Sequence, residues 1–194
     1  MTTTTQNSVT SAASAAHGGG GTVWLTGLSG AGKSTIAYAL AERLREQGCA
    51  VEVLDGDELR DALSPGLGFT RADRDAHVGR VGYLARMLAR HGVLTLVPVI
   101  APYAQARDAI RDAHVGEGVP YVEVHVATPV TECARRDVKG LYAKHAAGQI
   151  ASLTGVDDPY EAPQAPDLRI DTTDTDIAAG VDAVLSLLAT RGLL

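Results

Sequence analysis

Aromatic residues are few: one Phe, one Trp and six Tyr make up 4% of the 194 residues. Sulfur ligands are fewer still. Cys49 and Cys133 lie far apart and match no metal-ligand spacing, so a thiolate metal site is excluded and a reducing, cytoplasmic setting is expected. His77, His91, His114, His125 and His145 show no zinc spacing either, and are expected on helix surfaces or in strands. Positive charge is also short, with 17 Lys and Arg against 23 Asp and Glu, a net charge of -6. No summed field exists to hold a nucleic-acid backbone, so any anion must be held by a local site. With 45% hydrophobic and 21% charged residues, the chain is too polar for a membrane protein and ordinary for a soluble α/β domain.

Residues 1 to 20, MTTTTQNSVTSAASAAHGGG, contain no charged residue. They lack the basic start and apolar run of a secretory signal, and the arginines of an organellar transit peptide. So little apolar surface cannot offset the entropy of ordering the segment, which predicts a disordered tail with His17 solvated. The remaining 21 to 194 suit a single domain.

From Thr22 onward short apolar runs alternate with longer helical stretches, the pattern of βαβ units. Strands are predicted at 22 to 26, 51 to 55, 93 to 100, 121 to 127 and 168 to 171. Helices are predicted at 33 to 47, 74 to 90, 104 to 114 and 176 to 189, the first two stopped by Gly48 and Gly92. The stretch 135 to 149 mixes Arg135, Arg136, Lys139 and Lys144 with Asp137, two glycines and a tyrosine, which fits a helical hairpin lid better than a core element. The expected architecture is a three-layer α/β fold of the P-loop NTPase type, with a mostly parallel five-stranded sheet and a helical lid.

Gly27-Leu-Ser-Gly-Ala-Gly32-Lys33-Ser34 matches GxxxxGK(S/T) directly after a predicted strand and at the start of a predicted helix. Glycines there let backbone N–H groups wrap phosphates, and the helix N-terminus adds positive potential. Lys33 would reach the β and γ oxygens of ATP while Ser34 ligates Mg²⁺. Lys33 buried among N–H donors would be costly without an anion.

Leu54-Asp-Gly-Asp57-Glu-Leu-Arg60 follows the second strand at its C-terminal end, where ligands of doubly wound sheets gather. Asp57 could orient or deprotonate an attacking hydroxyl, act through Mg²⁺, or merely cap a helix. Arg60, Phe69, Arg71 and Arg74 together look like a clamp for an anionic, aromatic-bearing acceptor. Arg136-Asp-Val-Lys139-Gly-Leu-Tyr142 lies after the fourth strand, where small P-loop kinases carry the lid; the alternative is a solvated charged helix.

These residues, with LGFTRADRD, Pro102-Tyr103 followed by Arg107 and Arg111, and LTGVDDPYEAP, give the chain a resemblance to adenylyl-sulfate kinases from about Val23 to Leu193. Those enzymes use ATP to phosphorylate the 3′-hydroxyl of adenylyl sulfate in sulfate assimilation. The resemblance implies catalytic roles for Lys33, Asp57 and Lys139. It implies acceptor contacts from Asp57, Arg60, Phe69, Arg74, His77, the backbone at Ile100 and Ala101, Lys139, Ser152 and Leu153. It implies ATP contacts from Gly30, Ala31, Gly32, Lys33, Ser34 and Thr35, with Arg136 and Thr175 near the adenine, and Mg²⁺ on Ser34, with Asp57 a second candidate. A homodimer and a functional link to a sulfate adenylyltransferase are implied as partners.

Four positions depart from the family's usual residues: His77 stands for Asn, Gly79 for Arg, Ala101 for Ser and Leu153 for Phe. Ala101 cannot be phosphorylated, so transfer must be direct. Leu153 would face Phe69 as an apolar sandwich worth ~1 kcal/mol less than two rings. All four fall on the acceptor side, which keeps a kinase of the same fold for another small hydroxyl acceptor as the alternative. A non-catalytic nucleotide-binding subunit would be expected to lack Lys33, Ser34 or Asp57, and all three are present.

Overall fold

The computed structural model describes residues 19–194; the tail expected over 1 to 20, and His17 with it, lies outside the described residues except for Gly19 and Gly20. Strands β1 (Gly21–Thr26), β3 (Leu94–Pro98) and β4 (Tyr121–Val126) are buried at every position. Such strands read as continuous apolar runs because helices cover both faces of a parallel sheet. The short strands β2 (Val51–Val53) and β5 (Leu168–Ile170) flank them, giving the order β2-β3-β1-β4-β5 with every pairing parallel.

Alternate residues of each strand feed two cores. Val23, Leu25, Leu96, Val122 and Val124 pack with Ile36, Leu40 and Leu44 of helix α1 (Lys33–Glu46) and with Val181, Val184 and Leu188 of helix α7 (Ile177–Thr190). Trp24, Val97 and Tyr121 point to the opposite face. They meet Val78, Val81 and Ala85 of helix α3 (Arg71–Arg90) and Ile110 of helix α4 (Ala104–Gly116). The result is the three-layer arrangement expected from the alternation of strands and helices.

Local chemistry moves several boundaries. Helix α2 (Gly56–Leu63) follows β2, and it is Asp55, not Asp57, that caps it by accepting from the Asp57 N–H at 2.9 Å. That capping role also ends β2 at Val53 rather than Asp55. Helix α3 starts three residues earlier than predicted because Thr70 and Asp73 form a capping box. The lid consists of helices α5 (Val130–Arg136) and α6 (Leu141–Ala146), joined through Asp137 at φ 32° and Gly140 at φ 66°. The Asp137 carboxylate accepts from the Tyr142 and Ala143 N–H groups and so starts α6.

His114 is not a surface residue: it is fully buried, with Nδ1 2.8 Å from the Ile110 carbonyl and Nε2 3.0 Å from Thr22 Oγ1. The carbonyl can only accept, so Nδ1 carries the proton and Nε2 accepts from the threonine.

One buried charge cluster ties the sheet to the loops at its C-terminal end. Arg107, 3% exposed, donates to Glu123 at 3.1 Å, to the Ala101 carbonyl at 2.7 Å and to the Glu161 carbonyl at 2.5 Å. Arg111 holds the other Glu123 oxygen at 3.0 Å. Removing Arg107 takes one of two cations from the buried Glu123 and leaves the Ala101 and Glu161 carbonyls without this donor, a loss of about 3 to 5 kcal/mol for a buried pair. Urea unfolding of Arg107→Met should show a loss of that size, and Arg107→Met combined with Glu123→Met should recover part of it; an Arg107→Met variant as stable as wild type would refute the assignment.

Candidate functional site

The C-terminal ends of β1 and β3, with α2, α3 and the lid, enclose a cavity of about 440 Å³. Gly30 at φ 79° and Gly32 at φ 99° adopt left-handed backbone, which lets the loop between β1 and α1 curl tightly ahead of the helix. Lys33 follows as the first residue of α1 and is 8% exposed. Its ammonium donates to the Leu28 carbonyl at 2.8 Å, one partner for three donors. Burial pushes its pKa down to about 8, with Asp57 opposing the shift and Lys139 adding to it. A charged amine held this way is built for an anion to complete it.

Ser34 Oγ donates to Asp55 Oδ2 at 2.7 Å, and Asp55 is itself buried. The capping oxygen of α2 and the oxygen facing the P-loop therefore belong to one carboxylate. The sequence reading passed over Asp55 in favour of Asp57, although a carboxylate at the C-terminal end of a strand beside the P-loop was the available signal. A hydroxyl and a carboxylate together fit Mg²⁺, which takes few protein ligands and keeps waters and phosphate oxygens for the rest. Among the described residues no three His, Cys, Asp or Glu side chains form a metal cluster.

Asp57 stands in the first turn of α2, largely exposed, and forms an ion pair with Lys139 of the segment between α5 and α6. Arg60, one turn on, donates to the Gly68 carbonyl, and its guanidinium lies 4.5 Å from the centre of the Phe69 ring. Phe69 is 62% exposed. Arg74 is more committed than the sequence suggests. It donates to the Phe69 carbonyl at 2.9 Å, to Thr154 Oγ1 at 2.9 Å and to the Ser152 carbonyl at 2.6 Å, and it pairs with Asp158 at 3.7 Å. Its guanidinium thus holds the 152–154 segment against the start of α3.

His77 borders the cavity but is 3% exposed, with both ring nitrogens bonded to protein, to Ser64 and to the Gly56 carbonyl. Ile100 and Ala101 line the cavity wall after β3; the Ile100 carbonyl accepts from Thr26 Oγ1 at 2.5 Å, and Ala101 sits at φ 44°. Ser152 at φ 59° and Leu153 close the opposite side. Arg136 is pinned at 2.7 Å to both Thr172 Oγ1 and the Thr172 carbonyl, with Glu132 at 2.8 Å.

Two residues of the sequence reading lie away from the cavity lining. Ala31 is fully buried, and only its carbonyl takes part, accepting from Thr128 and Thr172. Thr175 is exposed just before α7, and Thr172 is the residue of that loop that reaches the P-loop. The remaining residues proposed from sequence, Gly30, Gly32, Lys33, Ser34, Thr35, Asp57, Arg60, Phe69, Arg74, His77, Ile100, Ala101, Arg136, Lys139, Ser152 and Leu153, line one cavity.

The family model described as adenylylsulphate kinase matches residues 19–171. The chain belongs to the adenylylsulphate kinase family. An adenylyl-sulfate kinase from Myxococcus xanthus is 51% identical over 172 residues, covering 89% of this chain and 92% of the relative. One from Picosynechococcus is 46% identical, covering 89% and 96%. An APS kinase from Mycobacterium tuberculosis, solved in complex with AMPPNP and APS, matches with a TM-score of 0.86 at 45% identity, covering 89% of this chain and 99% of that one. Shikimate kinase from Acinetobacter baumannii, at 19% identity and a TM-score of 0.60, covering 90% and 97%, shares the fold alone. Among the described residues no helix is long and apolar enough to cross a membrane.

The position of Lys33 gives this kinase a pH signature. Below about pH 8 the amine is already charged in the free chain. Above it the amine is neutral, and a bound polyphosphate, which raises its pKa, must draw in a proton. Affinity for inorganic triphosphate should fall by up to about tenfold per pH unit above pH 8, with uptake approaching one proton. Calorimetry in buffers of different ionisation heat measures both; an affinity that stays flat from pH 7 to 9.5 would contradict the burial argument.

Proposed function

We propose that this kinase transfers the γ-phosphoryl group of ATP to the 3′-hydroxyl of adenylyl sulfate. The observation that carries the proposal is the single cavity lined by Lys33 and Ser34 on one side and by Asp57, Arg60, Phe69 and Arg74 on the other. The donor γ-phosphoryl group and the acceptor 3′-hydroxyl would meet over the first turn of α2.

Phosphoryl transfer depends mostly on positioning and on neutralising charge at the transferring oxygens. The N–H groups of Gly30, Gly32, Lys33, Ser34 and Thr35 at the α1 N-terminus would cradle the ATP phosphates, and Lys33 would complete its own coordination on the β and γ oxygens. Ser34 and Asp55 would hold Mg²⁺, which supplies charge neutralisation across those phosphates. Asp57 would accept the hydrogen of the attacking 3′-hydroxyl as the new P–O bond forms and the bond to the ADP oxygen breaks. For this Lys139 must leave Asp57, and the released ammonium is then free for the transferring group. Ala101 offers no hydroxyl where a phosphoryl relay would need one, so the transfer is direct. Arg60 and Phe69 would recognise charge and base of the acceptor. Arg136, fixed by Thr172 and Glu132, would border the ATP adenine.

We further propose that residues 21–194 form the kinase domain and act in the cytoplasm as a homodimer, as the family resemblance implies; light scattering of the purified protein measures the assembly. A link to a sulfate adenylyltransferase belongs to the same reading.

ADP release with adenylyl sulfate, adenosine and sulfate as alternative acceptors is the direct test. Adenylyl sulfate should be strongly preferred, because neither adenosine nor sulfate alone engages both halves of the acceptor side. Equal turnover of adenosine would assign the chain to another hydroxyl acceptor instead. Arg60→Ala removes a guanidinium from a charge pair worth ~2 to 5 kcal/mol, so kcat/KM for adenylyl sulfate should fall roughly 30-fold to several thousand-fold, with the ATP KM little changed. Asp57→Asn should lower kcat far more than it raises the ATP KM; an unchanged kcat would remove Asp57 from the chemistry.

A further inference from the structure

Helix α2 carries Asp57 and Arg60, yet it is only eight residues long and none of its side chains is fully buried. Its buried residue is Gly56, which has no side chain. So short a helix does not hold its own place, and something else must fix the carboxylate to within the tolerance that chemistry demands.

The fixing contacts come from α3. His77 Nε2 lies 2.9 Å from the Gly56 carbonyl, and Nδ1 lies 2.9 Å from Oγ of Ser64, the C-terminal cap of α2. A carbonyl only accepts, so Nε2 carries the hydrogen, and Nδ1 accepts from the Ser64 hydroxyl. Ser64 Oγ accepts in turn from Arg80 at 3.3 Å, and Arg80 also donates to the Leu63 carbonyl at 2.8 Å. One Arg80 nitrogen thus serves both acceptors, and with Ser64 donating to Nδ1 the ring is neutral. Burial depresses the His77 pKa, the Gly56 carbonyl opposes the shift, and of the charged groups facing the ring Arg60 and Arg80 lower it while Asp57 raises it.

The other side of Gly56 is equally constrained. A Cβ at that residue would lie 2.7 Å from Val99 Cγ2 and 3.4 Å from the Pro98 carbonyl. The peptide that leads into Asp57 is therefore clamped between the end of β3 and the His77 ring.

We propose that His77 is a positioning residue for the transfer reaction: by donating from Nε2 to the Gly56 carbonyl it sets the start of α2, and hence the Asp57 carboxylate, against the acceptor hydroxyl, without touching the acceptor itself. This rests on the role given to Asp57 above. The Nε2 bond is the one that bears on Asp57; the Nδ1 bond to Ser64 selects the tautomer that can make it.

The test compares His77→Gln, His77→Asn and His77→Ala in the full chain, with adenylyl sulfate and ATP. Gln extends an amide donor to about the Nε2 position, whereas Asn reaches only as far as Nδ1 and Ala makes neither bond. His77→Gln should keep kcat within about tenfold of wild type. His77→Asn and His77→Ala should lose about 10²-fold in kcat with the ATP KM unchanged, the size expected from a misplacement of about 1 Å. In an Asp57→Asn background His77→Ala should cost little more, because there is no longer a carboxylate to place. Amide exchange over residues 56–63 gives a readout without turnover, and should quicken by about tenfold or more in His77→Ala and not in His77→Gln.

Loss of the same size in the Asp57→Asn background, or losses that merely follow the unfolded fraction in a thermal melt, would overturn the proposal. So would full activity of both His77→Asn and His77→Ala. If His77→Ala fails to fold, the contrast between Gln and Asn decides the matter. A wild-type enzyme inactive on adenylyl sulfate would strike the acceptor assignment instead, and the exchange measurement would still judge the clamp on α2.

Discussion

A buried ammonium with one protein partner organises this molecule. Lys33 sits at the root of α1 with the Leu28 carbonyl as its partner, and burial, with Lys139 adding to it, has pulled its pKa down to about 8. Its position is dictated by the turn before it, where Gly30 and Gly32 take left-handed backbone that a side chain would strain. That turn in turn exists because β1 is buried along its whole length in the centre of the sheet, so that the chain must leave it at the C-terminal edge. Each feature of the donor side thus follows from the one below it. The charge that completes Lys33 would come from a ligand, and the proposed phosphate site lies beside it at the start of α1.

The acceptor side is assembled differently, from short elements pinned by side chains. Asp55 caps α2 with one oxygen and meets Ser34 with the other, so that the P-loop and α2 share a carboxylate. Arg74 holds residues 152 and 154, and Arg107 holds the carbonyls of Ala101 and Glu161. Ala101 at φ 44° lies in backbone that disfavours a Cβ by roughly 1 to 2 kcal/mol, and the Arg107 hydrogen bond to its carbonyl is one of the contacts that offset this. Arginines here act as fasteners of loops as much as receptors for anions.

The two sides differ in how much of them can be read from the sequence. The five strands, the P-loop and the lid are visible because each is a local pattern: an apolar run, a glycine spacing, a cluster of cations after the fourth strand. Helix α2 is less so, since the sequence offers Asp57 as one possible cap and only the structure shows that Asp55 starts the helix. The start of α3 slips by three residues because a capping box depends on two side chains meeting in space. His77, His114 and Arg74 carry no sequence mark of what they bond, and their partners lie up to 92 residues away, as Thr22 does from His114. What escapes the sequence is the network of long-range hydrogen bonds, and that network is what holds the acceptor side together.

Phe69 shows how this bears on selectivity. The sequence has one phenylalanine, and its exposed ring carries the guanidinium of Arg60 at 4.5 Å and that of Arg74 at 5.6 Å. A cation over an exposed ring is worth about 0.5 to 1 kcal/mol, so a stacking base can displace it at small cost. In the proposed complex the base takes the ring face and the displaced Arg60 is left without that contact, one turn from Asp57. A ligand that brings an anion with its base would give the guanidinium a charged partner; a ligand that brings only the base would leave it with the Gly68 carbonyl. Arg74 cannot move in the same way, because three hydrogen bonds and Asp158 hold it. Under the proposed function, selectivity for an acceptor with both a base and a charged group would come from one lightly held arginine and one firmly held arginine beside a single ring, without the second aromatic that Leu153 replaces.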